Sequence, residues 1–292
     1  MHIKNEYENN VVVLYHTQCA DGFGSAHIAY EVLGDNATYL PVKHGHPYPQ
    51  AIVGAHVLIV DFSYPKEILK EIEGKALSLT VLDHHKSAAD DVASLSRGVF
   101  DNSESGATLA WQYFHPDEPV PRFYQYIRGG DIFDFSLPNA ESVLSYIYSQ
   151  DKTWSTWTEL KKLLETDQGL SRAAEIGTHY RTHWNKIIET IAEEDATLVK
   201  FEGHTIYAIN ASHAVRSDLG HYLSKKKPPF ALVWRYKLNT NEINFNLRGD
   251  GSIDVSEIAK KYGGGGHHDA AGFHLPLGST LPFTPLHEDF SD

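Results

Sequence analysis

The chain has 292 residues, 41% hydrophobic and 22% charged, long for one domain, comfortable for two, and ample for a sizeable core. No run of eighteen apolar residues occurs, so no membrane-spanning helix is expected; the single cysteine, Cys19, excludes an internal disulfide and suits a reducing compartment. The net charge of −13 falls entirely on residues 1–195, because residues 196–292 carry ten Lys/Arg and ten Asp/Glu. Where that acidity does more than serve solubility, it repels a long polyanion such as duplex nucleic acid and favours a small anionic substrate. The opening stretch Met1-His2-Ile3-Lys4-Asn5-Glu6 lacks the apolar run of a secretory signal, and a cytoplasmic location is expected.

Along the first third, short apolar runs alternate with helical spacing. Val11 to Tyr15 reads as a strand and Gly22 to Leu33 as a helix. Val57 to Val60 is a second strand, followed by a helix opening at Pro65, a favoured first-turn residue. Leu77 to Leu82 and Val99-Phe100 follow as strands, then a helix from about Ser105 to Phe114. This alternation predicts an α/β fold, a Rossmann-like, mostly parallel sheet with helices on both faces. Residues 140–195 read as helical, with Ala173 to Ala196 long and amphipathic enough to connect two parts of the chain. Beyond a boundary near residue 196, strands at His204–Asn210, Phe230–Tyr236 and Glu242–Leu247 and helices near Ser217–Leu223 and Val255–Tyr262 predict a smaller α/β domain over 196–292.

Four segments concentrate metal-ligating side chains where a parallel sheet collects ligands, beyond the carboxyl ends of its strands. His16 and Asp21 flank the first strand-to-helix turn, with Gly22 relieving the tight backbone; the same pair also reads as a helix cap. Asp61 ends Val57-Leu58-Ile59-Val60, and Asp83-His84-His85 ends the next apolar run. Three titratable groups in succession at a strand end are costly unless paired or metal-bound. Asp131, after Arg128-Gly129-Gly130, reads by itself as an ordinary loop residue.

These four segments, in this order, resemble the motifs of the DHH phosphoesterase superfamily, which includes RecJ exonucleases, nano-RNases, family II pyrophosphatases and cyclic-dinucleotide phosphodiesterases. The second part resembles the associated domain that follows many of these catalytic domains, through Asn246-Leu247-Arg248 and the run Gly263-Gly264-Gly265-Gly266-His267-His268-Asp269-Ala270-Ala271-Gly272-Phe273. The resemblance covers essentially the whole chain. It implies a catalytic domain over 1–195 and a substrate-binding domain over 196–292, with two manganese ions generating a bridging hydroxide. One ion is expected on His16 and Asp61, with Cys19 as a possible third ligand, and the other on Asp21, Asp61, His84 and Asp131. Asp83 and His85 then become catalytic neighbours, Asp83 orienting a ligand and His85 reaching a phosphate oxygen. Cys19 departs from the commonest pattern, which has aspartate there. Either its thiolate ligates and favours zinc, iron or cobalt, or it stays protonated and unligated.

The same resemblance assigns Arg248, Gly264, Gly265, Gly266 and His267 to the substrate's phosphate: an arginine fork grips a phosphate, and successive glycines form a concave nest of N–H donors. Arg216 and Lys225-Lys226-Lys227 extend that attraction or simply solvate a helix end. Tyr262 and Phe273 stack a base or fill the core. The expected activity is hydrolysis of short oligonucleotides or dinucleotides, linear or cyclic, to mononucleotides. The alternatives are a 3′-phosphoadenosine 5′-phosphate phosphatase or exopolyphosphatase, and a nucleotide-binding module with weakened catalysis. No membrane partner is expected, and the region 140–195 either carries the interface of a homodimer or simply caps the sheet.

Overall fold

The structure, a computed structural model, describes residues 10–286 apart from Gln18 and His44; the opening stretch read above for a signal lies outside them. Contacts divide the chain into two compact units that meet between Arg181 and Thr182.

The first unit is built on five strands, β1 (Val11–His16), β2 (Ala37–Val42), β3 (His56–Val60), β4 (Ser78–Asp83) and β5 (Gly98–Phe100). They form one sheet in the order β2-β1-β3-β4-β5, and every pair is parallel. Residues 11–14 of β1 and 57–60 of β3 are continuous apolar runs, and β4 is buried over residues 79–83, because both faces are covered. Alternate residues divide between two cores. Val11, Val13, Leu58, Val60 and Leu82 face α1 (Ala20–Leu33), α4 (Gly106–Phe114), α5 (Arg122–Asp131), α6 (Ala140–Tyr148) and α7 (Trp154–Leu164). Val12, Leu14, Val57, Ile59 and Val81 face α2 (Lys66–Lys75) and α3 (Ala89–Ala93). The α2 helix begins one residue after Pro65, which takes the cap position.

The strand order reverses at β1. The chain passes outward from β1 to β2 and then crosses to β3 on β1's other side. Connections therefore diverge at the carboxyl ends of β1 and β3, leaving the crevice in which such sheets bind ligands. His16 ends β1, Asp61 follows β3, and Asp83 ends β4.

The helix α8 (Asp167–Asp195) runs through the division between the units. Its Ala173 and Ala174 pack in the first unit, whereas Ile188 and Ala192 pack with Ile209, Leu219 and Val233 of the second. The second unit carries a mixed sheet in the order β10-β11-β9-β8-β7-β6-β12. Its strands are β6 (Thr197–Phe201), β7 (His204–Asn210), β8 (Phe230–Lys237), β9 (Glu242–Gly249), β10 (Gly265–His267), β11 (Ala270–Pro276) and β12 (Thr284–Pro285). On one face Phe245, Leu247, Leu232 and Phe273 pack on α10 (Val255–Lys261); on the other Ala231 and Val233 pack on α9 (Arg216–Lys226).

Candidate metal centre

Asp61 is the hub of the first unit's strand ends. It leaves β3 with φ 63°, a left-handed conformation that aspartate tolerates better than most residues, and its N–H donates to Leu82 O at 3.0 Å. The side chain, 1% exposed, divides its two oxygens between two groups of donors. Oδ2 lies 3.5 Å from His16 Nδ1 and accepts from Cys19 Sγ at 3.1 Å. Oδ1 lies 3.2 Å from His84 Nε2, which is 3.4 Å from Asp131 Oδ2 and 3.8 Å from Asp21 Oδ2. The ligand atoms of His16, Cys19 and Asp61 all lie within 4.8 Å of one another, as do those of Asp21, His84 and Asp131, and those of Asp61, His84 and His85.

Local backbone chemistry explains each placement. Cys19 is the N-cap of α1 and accepts the Gly22 N–H at 2.9 Å, which fixes its sulfur over the helix start. Gly22 admits no side chain: a Cβ would collide with the His16 carbonyl and approach Asp61 Oδ2 to 2.9 Å. Asp21 faces away from its own helix and accepts the first N–H groups of α4, from Gly106 at 2.5 Å and Ala107 at 3.0 Å, a favourable end of the helix dipole for a carboxylate. A Cβ on Gly106 would lie 2.5 Å from Asp61 Cβ and 2.9 Å from Asp21 Oδ2. Asp131 is the last residue of α5 and not in a loop as expected: the apolar face of Phe123, Tyr124, Tyr126 and Ile127 carries the helix through both glycines. Asp83, fully buried, accepts at Oδ1 from the His84 N–H (2.7 Å), the His85 N–H (3.1 Å) and His85 Nδ1 (2.8 Å). Its Oδ2 is buried without a hydrogen-bond partner among the described residues.

One neighbour carried no signal in the sequence. Tyr148, at the end of α6, is half-exposed, but its hydroxyl lies against Gly130, where any side chain would displace it. Burial of that hydroxyl, then Asp131, Asp21 and Cys19, push its pKa up.

In the second unit, strand register brings the expected phosphate ligands to one sheet face. Arg248 pairs across β9 with Ala231 and with Ala270, and Ala270 pairs with His267, so Arg248 and His267 share a face with only a small side chain between them. Gly220 on α9 makes room for Arg248, whose Cγ would lie 2.6 Å from a Cβ there. Arg248 donates to Leu247 O (2.8 Å) and Ser217 Oγ (3.1 Å), and Arg216 donates to Asn246 Oδ1 (3.2 Å). Burial, reinforced by Arg216, lowers the Arg248 pKa to about 10, and burial together with Arg235 lowers that of Arg216. Arg235 was missed because nothing in its sequence neighbourhood marks it; register places it on this same face, opposite Asn244.

The glycine run differs from a donor nest. The N–H groups of Gly263 and Gly264 both donate to carbonyls of the last turn of α10, each at 3.0 Å, while Gly265 and Gly266 pair with β11. Gly264 serves close packing, since a Cβ there would lie 2.6 Å from that of Phe273. Lys225 and Lys226 stand at the C-terminal end of α9, opposite the end that carries Arg216, and do not extend the arginine group. Tyr262 and Phe273 stack on each other at 4.4 Å; Phe273, 4% exposed, belongs to the core, and the partly buried Tyr262 packs against it.

A DHHA1 domain matches residues 206–283. The chain is 30% identical over 295 residues to uncharacterized protein R106 of Acanthamoeba polyphaga mimivirus, covering 93% of this chain and 69% of that protein. The pGpG-specific phosphodiesterase PggH from Vibrio cholerae shares the fold, with a TM-score of 0.50 and 15% identity over 91% of this chain and 93% of that one. The chain belongs to the DHH superfamily.

DHH phosphoesterases work with divalent cations, and the electrostatics of this centre fit such an ion. Burial, then Asp61 and Asp131, push the Asp21 carboxyl well up; burial and then Asp61 raise Asp131 to about 6. Burial opposes charge on Asp61 too, but hydrogen bonds with His16 and His84 hold it well below the usual carboxylate range. Burial likewise opposes charge on His85, yet Asp83, supported by Asp61 and Asp131, pushes its pKa up to about 9. Carboxylates crowded this deeply repel one another unless a cation stands among them, and oxygen and imidazole donors suit a hard or borderline divalent ion.

Proposed function

We propose that the protein is a phosphodiesterase that hydrolyses short oligonucleotides or dinucleotides to mononucleotides, with cyclic dinucleotides within the same class. The observation that carries this reading is the division of Asp61, one oxygen toward His16 and Cys19 and the other toward His84 and its carboxylate neighbours. Such a residue would serve a divalent cation on each side. His16 and Cys19 would complete the holding set on one side, and Asp21, His84 and Asp131 on the other, where the donors favour manganese. Cations held there would supply an activated water and neutralise charge on the attacked phosphoryl group.

The chain's own residues do the rest. Asp83 fixes the ring of His85 through Nδ1 and favours its charged form, which suits His85 to a phosphate oxygen. In the second unit, Arg248, with Arg216 and Arg235 on the same side of the sheet, supplies cationic forks that have no carboxylate partner among the described residues, an arrangement suited to a phosphate. His267 adds a donor beside Arg248. The fold shared with a pGpG-specific phosphodiesterase supports a dinucleotide as the first substrate to try.

The test is incubation of the full chain with manganese and a panel comprising linear dinucleotides, cyclic dinucleotides, 3′-phosphoadenosine 5′-phosphate and polyphosphate, with products resolved chromatographically. Conversion of a dinucleotide to two mononucleotides is the expected result, and Asp61→Ala should abolish both metal uptake and turnover. Release of inorganic phosphate without nucleotide shortening overturns the phosphodiesterase reading, and wild-type turnover by Asp61→Ala overturns the bridging role.

A further inference from the structure

The two sides of Asp61 offer chemically different donors. Asp21, His84 and Asp131 present oxygen, nitrogen and oxygen, whereas His16 and Cys19 present nitrogen and sulfur beside the shared carboxylate. Sulfur is the soft member of the set and discriminates against manganese in favour of zinc, iron(II) and cobalt(II). Its position is fixed. As N-cap of α1 it accepts the Gly22 N–H from one side, and from the other it donates to Asp61 Oδ2, the oxygen that also faces His16. The thiol proton thus occupies the place that a cation shared by sulfur and carboxylate would take.

From this geometry we infer that the centre is heterometallic: a zinc-class ion bound by His16, the Cys19 thiolate and Asp61, and manganese bound by Asp21, His84, Asp131 and Asp61. The inference rests on the two-cation reading above and extends it to the identity of each ion. Binding breaks the Sγ–H bond heterolytically: sulfur keeps the electron pair and donates it to the cation, the proton passes to solvent, and no oxidant or reductant is required. The start of α1 favours the thiolate through the Gly22 N–H and the helix dipole.

Two features make the assignment testable without measuring turnover. A cobalt–thiolate bond produces an intense near-ultraviolet charge-transfer band that oxygen and nitrogen ligands do not. Serine and aspartate are both good N-cap residues, so Cys19→Ser and Cys19→Asp keep the start of α1 capped while removing the sulfur.

The experiment is a cobalt(II) titration of chelator-stripped, reduced full-length protein already saturated with manganese, followed by absorption and metal analysis. The expected result is one equivalent of cobalt taken up with the charge-transfer band, release of one thiol proton, and one equivalent of manganese retained. Cys19→Ser should lose the band, and Cys19→Asp should lose it while binding manganese in both halves, with both variants retaining the wild-type far-ultraviolet circular dichroism. Cobalt uptake without the band, or an undiminished band in Cys19→Ser, overturns the assignment. The two readings fail separately. Dinucleotide cleavage by an enzyme that binds only manganese sinks this inference alone, whereas the band without cleavage of any diester sinks the phosphodiesterase alone. Failure to bind a second ion of any kind sinks both.

Discussion

His27 links helix α1, which carries Asp21, to the rest of its unit, and it makes that attachment sensitive to acid. The ring is fully buried, with Nδ1 2.8 Å from the Tyr124 hydroxyl and Nε2 3.2 Å from Trp154 O and 3.1 Å from Thr158 Oγ1. A neutral ring that donates from Nε2 and accepts at Nδ1 satisfies these partners. Burial, with Lys161 assisting and Glu31 opposing, lowers its pKa from 6.5 to about 4. The unfolded chain therefore binds a proton that the folded one refuses between those values. Stability from this group is complete above pH 6.5, falls as the pH drops toward 4, and is constant below. The full loss is about 3 kcal/mol, of which about 2 kcal/mol is felt at pH 5. The perturbation is His27→Gln, which keeps one donor and one acceptor but cannot titrate. Urea unfolding of wild type and variant, both with chelator, at pH 7.5 and pH 5 should show the wild type losing about 2 kcal/mol relative to the variant. Taking the difference removes the contributions of Asp21 and Asp131, whose raised pKa values act in the opposite direction. A gap between the two proteins that is the same at both pH values would refute the burial argument.

At the centre itself, Gly106→Ala places a methyl group 2.5 Å from Asp61 Cβ and 2.8 Å from its Oδ1. Overpacking of this kind costs about 1–3 kcal/mol, and isothermal titration should show manganese binding weakened together with a lower melting temperature; unchanged metal affinity would mean the two carboxylates do not need their present spacing. Arg248→Ala should raise KM for a dinucleotide by about 10- to 100-fold, the loss of a charged hydrogen bond, with metal content unaltered; an unchanged KM removes Arg248 from the substrate. Gly220→Ala should reproduce part of that effect without touching the guanidinium, because its methyl would lie 2.6 Å from Arg248 Cγ and displace the side chain. Wild-type KM in this variant would show that the stem of Arg248 can move without cost.

The legible part of the centre follows a simple rule. Buried parallel strands read as apolar runs, so a carboxylate or imidazole that ends such a run stands at the sheet's ligand-binding edge; His16, Asp61 and Asp83-His84-His85 were visible for that reason. Asp131 was assigned by resemblance but misplaced in a loop, because two consecutive glycines disguise a helix held by its tertiary packing. β2 went unread because it is an edge strand with Pro41 inside it and only one of its residues fully buried. Tyr148 and Arg235 were invisible for a different reason. Their relation to the sites arises from packing against Gly130 and from register opposite Asn244, and neither leaves a periodic trace.

The features that assemble the centre are ones a fold selected for stability alone would avoid. Asp61 sits at φ 63°, Gly22 and Gly106 forgo side chains beside it, and three carboxylates are brought together around one imidazole. Asp83 buries an oxygen without a hydrogen-bond partner among the described residues, and each such feature costs of order 1–3 kcal/mol. None of them improves the packing of the sheet, which is already closed by helices on both faces. Their concentration where the strand order reverses is what a binding centre at that crevice would require, and packing alone gives no reason for it. A cation among these groups would offset the repulsion that burial amplifies, and ligand linkage would then turn its affinity into stability of the folded unit.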